Sequence, residues 1–240
     1  MTRTCWLEQT EAEVAAGNDW LSEGESHRLS DMRFAKRRSE WRLGRWTAKR
    51  AVAAWLHWPG DARSLARIEI RSAPSGAPEV FLDGQPPEVS ISLSHRAGTA
   101  ICAAASAGAA LGCDLELIEP RSFAFIADYF TVAEQVLVSR VSVIARPRLT
   151  ALIWSAKESA LKALSAGLRL DTRSVDVRLY SDISRCGPHG RDVWRPLQVH
   201  CAGGRSFEGW WQQTTNFLLT LVADPSPLAP IRLEIPACGI

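Results

Sequence analysis

The sequence predicts an α+β chain of two similar, pseudo-duplicated lobes, each a small antiparallel sheet with one long helix. Three observations predict it. A Trp-bearing helical stretch at 33–55 and a second at 149–164 are each followed by an alternating strand, RIEIR at 67–71 and SVDVR at 174–178. The intervening segments alternate in pairs, as antiparallel strands do. A length of 240 residues is enough for two small cores. The expected division is 1–110, 111–224 and a Pro-rich tail at 225–240.

Residues 4–8 read as an opening strand, and Ser22-x-x-Glu25 has the form of a capping box. The helix at 33–55 carries Arg33, Lys36, Arg37, Arg38, Arg42, Arg45, Lys49 and Arg50 against few acids, and Pro59-Gly60 stops it. Arg37, Arg38, Arg45 and Lys49 are spaced so that they can share one side. Such a side is either a solvated basic face or a phosphate cradle, since guanidinium forks pair bidentately with phosphate oxygens. Residues 72–78 form a turn-rich loop, and a strand at 89–93 delivers Ser94 and His95 at its end. Strands at 99–105 and 110–118 are expected to make a hairpin around Ser106-Ala107-Gly108.

In the second of these strands Leu111, Cys113, Leu115 and Leu117 face one way, and Gly112, Asp114 and Glu116 the other. Two carboxylates two residues apart have Cα atoms about 6.5–7 Å apart, which lets both converge on one hard cation such as Mg2+. Residues 121–134 hold Phe123, Phe125, Tyr129 and Phe130, then a second capping-box form, Thr131-x-x-Glu134. The helix at 149–164 has an apolar stripe of Leu149, Leu152, Ile153, Ala156, Ala160 and Leu164, with Gly167 as its stop. Glu158 and Lys162 stand one turn apart on its other side, framed by Trp154 and Leu161. Strands follow at 174–180, 193–201, 205–212 and 216–223, with a Gly/Pro-punctuated loop at 181–191.

Composition excludes several classes. The chain is 46% apolar and 22% charged, which is too balanced for disorder, and its formal net charge of +2 gives no global basic field for nucleic acid. No helix-turn-helix, zinc or aromatic-platform pattern accompanies the basic helix. The six cysteines show no CxxC and no zinc spacing. Residues 1–13 lack the apolar run of a secretory signal, and the small-apolar run at 100–113 is shorter than the roughly 20 residues of a membrane span. A reduced, cytoplasmic, monomeric protein is expected.

Together, Ser92-Leu93-Ser94-His95, Gly112-Cys113-Asp114-Leu115-Glu116, Phe130-x-x-x-Glu134 and Trp154-Ser155-Ala156-Lys157-Glu158-x-x-x-Lys162 resemble the 4′-phosphopantetheinyl transferase superfamily, in particular its surfactin-activating (Sfp-like), two-lobed single-chain type. Lys36-Arg37-Arg38-x-Glu40-Trp41-x-x-Gly44-Arg45 is similar to that family's coenzyme A phosphate segment. The resemblance spans roughly residues 21 to 223. It implies transfer of 4′-phosphopantetheine from coenzyme A to a serine of an acyl or peptidyl carrier protein, with release of 3′,5′-ADP. It further implies Mg2+ on Asp114, Glu116 and Glu158, and Lys162 on the diphosphate with Lys157 in support. Coenzyme A phosphates fall to Arg37, Arg45 and His95, with Arg38 a near neighbour. Glu158 through water, or Glu134, would activate the serine. One departure is Gly76-Ala77-Pro78, which lacks the basic middle residue of the family's pattern. A non-catalytic coenzyme A- or carrier-binding protein of the same fold is the alternative.

Overall fold

The computed structural model describes residues 1–165, 170–180 and 193–235. Gly167, the loop at 181–191, Cys186 and Cys238 lie outside the described residues. The chain forms two compact units, Arg3–Ala109 with the segment that begins at Pro230, and Ala110–Ala229 with Met1–Thr2.

In the unit Arg3–Ala109, β1 (Thr4–Thr10) is followed by α1 (Glu23–Ser30), α2 (Ala35–Trp55) and the short α3 (Ala62–Ala66). Next come β2 (Ile68–Ser72), β3 (Pro78–Leu82), β4 (Ser90–Arg96) and β5 (Thr99–Ala105). β5 lies between β1 and β4, antiparallel to both, and β2 pairs with β3. The helix α2 covers β5 and β1 over a core that includes Trp20, Trp46, Val52, Leu65 and Ile68. A two-residue turn joins β4 to β5, with Ala97 at φ 47° and Gly98 at φ 74°. Positive φ at both positions is the turn that matches strand twist in a hairpin.

The unit Ala110–Ala229 repeats this order. It runs β6 (Ala110–Leu117), α4 (Phe123–Tyr129), α5 (Val132–Arg140) and α6 (Arg146–Ala163), then β7 (Val175–Leu179), β8 (Arg195–Cys201), β9 (Ser206–Gln213) and β10 (Phe217–Asp224). Its sheet is antiparallel in the order β6-β10-β9-β8-β7. α6 lies on β6 and β10, over a core that includes Phe130, Leu152, Ile153, Val199, Phe207 and Trp211. In both units the first strand pairs antiparallel with the fifth, and the long helix lies on that pair. Ile231–Arg232 (β11) runs parallel to β1 at the edge of the first sheet.

The expected hairpin between 99–105 and 110–118 does not form. Both edges of β5 are taken by β1 and β4, while β6 pairs with β10, so residues 106–109 cross from one unit to the other. β4 also continues through His95, which sits opposite Ala100 inside the strand.

A buried ion pair shows the duplication most closely. In the first unit Ser22 caps α1, and Glu25 reaches back to the Ser22 backbone N–H at 3.0 Å. Glu25 also accepts from the Ile70 N–H at 3.0 Å and meets Lys49 Nζ at 2.5 Å. Lys49 then donates to the carbonyls of Trp20 and Leu65. In the second unit Thr131 caps α5, and Glu134 accepts from the Thr131 N–H at 2.8 Å, the Val177 N–H at 3.0 Å and Lys157 Nζ at 2.8 Å. Lys157 donates to the carbonyls of Thr172 and Val175. One arrangement, a capping-box Glu, a Lys on the long helix and a strand N–H, therefore occurs twice. The sequence register is Trp46-Thr47-Ala48-Lys49 against Trp154-Ser155-Ala156-Lys157, so Trp46, not Trp41, is the counterpart of Trp154.

Both lysines are fully buried. Burial pushes the Lys157 pKa down and the Glu134 pKa up, while each charge holds its partner ionised. Removing one member strands a buried charge, which typically costs about 3–5 kcal/mol, whereas removing both costs far less. Lys157→Met is accordingly expected to destabilise the protein strongly, and adding Glu134→Gln to recover most of the loss. Urea denaturation checks this, and strictly additive effects of the two changes would contradict it.

Among the described residues Cys5, Cys102, Cys113 and Cys201 are buried. No helix of the described residues is long and apolar enough to cross a membrane.

Candidate active site

The site grows from the contact of β6 with α6. Gly112 makes that contact possible, because a Cβ there would come within 1.8 Å of the Ser159 carbonyl oxygen and 2.8 Å of the Ala163 nitrogen. Backbone thus lies on backbone, and the β6 face that carries Gly112, Asp114 and Glu116 is brought under the helix. Beside it, Ser155 and Ser159 hydroxyls both hydrogen-bond the Thr220 hydroxyl, at 2.8 and 2.7 Å, and tie α6 to β10. All three are fully buried, so this polar cluster satisfies itself within the interior.

α6 is buried almost all round from Leu149 onward; Trp154, Glu158 and Lys162, spaced by four, form its half-buried stripe. Lys162 Nζ donates to Asp114 Oδ1 at 2.8 Å and to the Cys113 carbonyl at 3.0 Å. Burial acts to lower the Lys162 pKa, but the Asp114 charge, Cys113 and Glu158 together outweigh it and hold the ammonium protonated. Glu158 is pushed the other way. Burial, then the neighbouring Asp114 charge, raise its pKa to about 7 against the pull of Lys162, and Glu116 adds to the rise. Glu158 Oε1 is buried and has no hydrogen-bond partner among the described residues. The third carboxylate, Glu116, accepts from Arg121 Nη2 at 2.9 Å.

Three carboxylates therefore feel one another across β6 and α6, with Lys162 and Arg121 against them. An all-oxygen donor set with an unsatisfied, electrostatically crowded Glu158 suits a hard divalent cation. As the side chains stand, however, no three His, Cys, Asp or Glu among the described residues are gathered to hold a metal ion. Asp114 and Glu116 are turned to Lys162 and Arg121 instead.

The other candidates lie elsewhere. Glu134 and Lys157 pair in the interior, with the Glu134 carboxylate taking three donors and only 2% exposed. Their counterparts Glu25 and Lys49 do the same in the other unit. In the unit Arg3–Ala109, Arg37, Arg38 and His95 are exposed. Arg45 is buried, with its guanidinium over the Trp41 ring and Nε 3.7 Å from Glu25 Oε1. Lys49 is interior, so the helix side expected to join Arg37, Arg38, Arg45 and Lys49 in one basic face is split between surface and core.

Arg121 is the site residue that motif reading passes over; it sits just beyond Pro120, five residues after Glu116. It also borders a cavity of about 530 Å³ whose walls include Phe123, Ile126, Val138, Val143 and Arg146. Phe123 and Val143 are largely exposed there.

The site-bearing stretch is matched by a known family. Residues 110–193 match the 4′-phosphopantetheinyl transferase superfamily. The transferase match takes in Asp114, Glu116, Glu158 and Lys162, and the motif resemblance is borne out at the superfamily level. Arg37, Arg38, Arg45 and His95 fall outside the matched stretch. Among solved structures the chain is similar to Helicobacter pylori holo-[acyl-carrier-protein] synthase in complex with coenzyme A, with 23% identity and a TM-score of 0.34 over 43% of this chain and 99% of that one. No curated protein matches the chain.

Proposed function

We propose that this is a two-lobed, single-chain phosphopantetheinyl transferase. It moves 4′-phosphopantetheine from coenzyme A to a serine of an acyl or peptidyl carrier protein, with Mg2+, and releases 3′,5′-ADP. One observation carries the reading: Asp114, Glu116, Glu158 and Lys162 lie within electrostatic reach of one another across β6 and α6, inside the transferase-matched segment.

Asp114, Glu116 and Glu158 are the residues that would hold Mg2+, and the bound ion supplies neutralising charge to the diphosphate. Lys162, kept protonated beside Asp114, is placed to stabilise the charge that develops on the leaving phosphate. In the transfer the serine oxygen forms its bond to phosphorus as the P–O bond to 3′,5′-ADP breaks. The hydroxyl proton needs an acceptor, and Glu158, half-buried at the carboxylate site, is better placed to take it through a bound water than the enclosed Glu134. The exposed Arg37, Arg38 and His95 keep their proposed role toward coenzyme A phosphates. Arg45, held against Glu25 and Trp41, has less of its guanidinium to offer. Six cysteines without CxxC or zinc spacing fit a reducing, cytoplasmic setting.

The carrier is proposed to dock at the cavity beside Phe123, where apolar walls and the rim cation Arg146 suit apolar anchors on an acidic surface. Phe123→Asp is expected to raise KM for the carrier about tenfold and to leave KM for coenzyme A in place. An unchanged carrier KM would remove this surface from the account.

The activity itself is tested by intact mass on a panel of apo-carrier proteins incubated with the enzyme, coenzyme A and Mg2+. Gain of one phosphopantetheine by at least one carrier is expected. Coenzyme A or carrier binding with no mass gain across the panel would instead favour the non-catalytic alternative, to which Ala77 in place of a basic residue points.

A further inference from the structure

We infer that Arg121 is an internal counter-ion of the carboxylate site: it holds Glu116 in the cation-free protein and must release it before Glu116 can reach a divalent cation. The inference rests on the reading of Asp114, Glu116 and Glu158 as cation ligands, and it explains why those three side chains are not gathered into a ligand set as they stand.

Arg121 has an alternative station among the described residues. Its Nη2 donates to Glu116 Oε2 at 2.9 Å, while its Nη1 lies 3.3 Å from Glu119 Oε1. Its guanidinium also stands over the Phe125 ring, 5.2 Å from the centroid. Letting go of Glu116 therefore leaves Arg121 with a carboxylate and an aromatic face, and no charge is stranded. Its side chain is 22% exposed, so solvent can follow the movement. Lys162 has no comparable second carboxylate in its hydrogen bonds; it is fixed between Asp114 and the Cys113 carbonyl.

A divalent ion on Asp114, Glu116 and Glu158 would bring its positive charge up to the Arg121 guanidinium, and movement of Arg121 towards Glu119 takes that cation away from the ion without leaving it unpaired. The guanidinium and the ion compete for one carboxylate, and the fork geometry of arginine makes it an effective competitor.

The test is direct Mn2+ binding, read by electron paramagnetic resonance on the full chain without coenzyme A, for wild type, Arg121→Gln, Arg121→Lys and Glu158→Gln. The expected result is one ion per chain and about tenfold tighter binding by Arg121→Gln, since the neutral side chain competes far less. Arg121→Lys, which keeps the charge, should stay near wild type, and Glu158→Gln should lose the ion. If wild type binds Mn2+, Glu158→Gln loses it and Arg121→Gln binds no tighter, the counter-ion role is wrong while the ligand reading stands. If no variant binds, or Glu158→Gln binds as wild type does, the ligand reading fails and takes this inference with it.

Discussion

Replacing Glu158 by glutamine is expected to abolish transfer and at the same time to stabilise the cation-free protein near neutral pH. The two effects share one cause. Glu158 is held among Asp114 and Glu116 with an oxygen that meets no donor, and its pKa is raised to about 7. A pKa raised above the ordinary carboxylate value means the fold favours the protonated form. The resulting stability is fully present below the unfolded pKa and is lost as pH rises through about 7. With a chelator present, wild type should therefore lose melting temperature between about pH 5 and about pH 8, and the glutamine variant should lose distinctly less. Transfer by the same variant should fall roughly 100-fold or more, since a charged group acting on the transition state is removed. Parallel melting curves, or transfer at the wild-type rate, would each remove Glu158 from its assigned place.

The largest loss of stability is expected from Gly112→Ala. The added methyl would sit 1.8 Å from a backbone oxygen of α6 and 2.8 Å from a backbone nitrogen. No side-chain rotation relieves a clash with main chain; the helix must lift from β6. That movement would break the Lys162 contacts to Asp114 and Cys113 and disturb the Ser155–Thr220–Ser159 cluster. A cost of about 3 kcal/mol or more is expected, at the upper end for overpacking. Transfer should fall with it even where the protein remains folded, because Asp114 and Glu116 move away from Glu158. Chemical denaturation together with transfer rates checks both halves. A folded Gly112→Ala protein of wild-type stability would mean that the close approach of β6 and α6 is not what builds the site.

Much of this site is legible in the amino-acid order. Strand alternation puts Gly112, Asp114 and Glu116 on one face, and helical spacing puts Glu158 beside Lys162. The strands from 174 onward also fall close to where alternation places them. What is not legible is pairing. The segments 99–105 and 110–118 look like a hairpin because they are adjacent and both apolar, yet β5 is already paired on both edges and β6 closes on a strand a hundred residues later. The two-residue Ala97-Gly98 turn carries the local signal for the hairpin that does form. Glu134 reads as a candidate base and Lys157 as a support for coenzyme A binding because each lies in a motif. In the structure they form a buried ion pair, and the same pattern at Glu25 and Lys49 is legible in the two capping boxes and in the paired W-T-A-K and W-S-A-K stretches. Arg121 had no motif to mark it, because its role depends on a carboxylate that only the fold turns toward it.

The position of a bound divalent ion tests the carboxylate site most directly. A crystal of the full chain grown with coenzyme A and Mn2+, read by anomalous scattering, should show a single ion bonded to oxygens of Asp114, Glu116 and Glu158 together. An ion bound away from these residues, or one that leaves Glu158 on its own, would contradict the claim that the three carboxylates form one cation site.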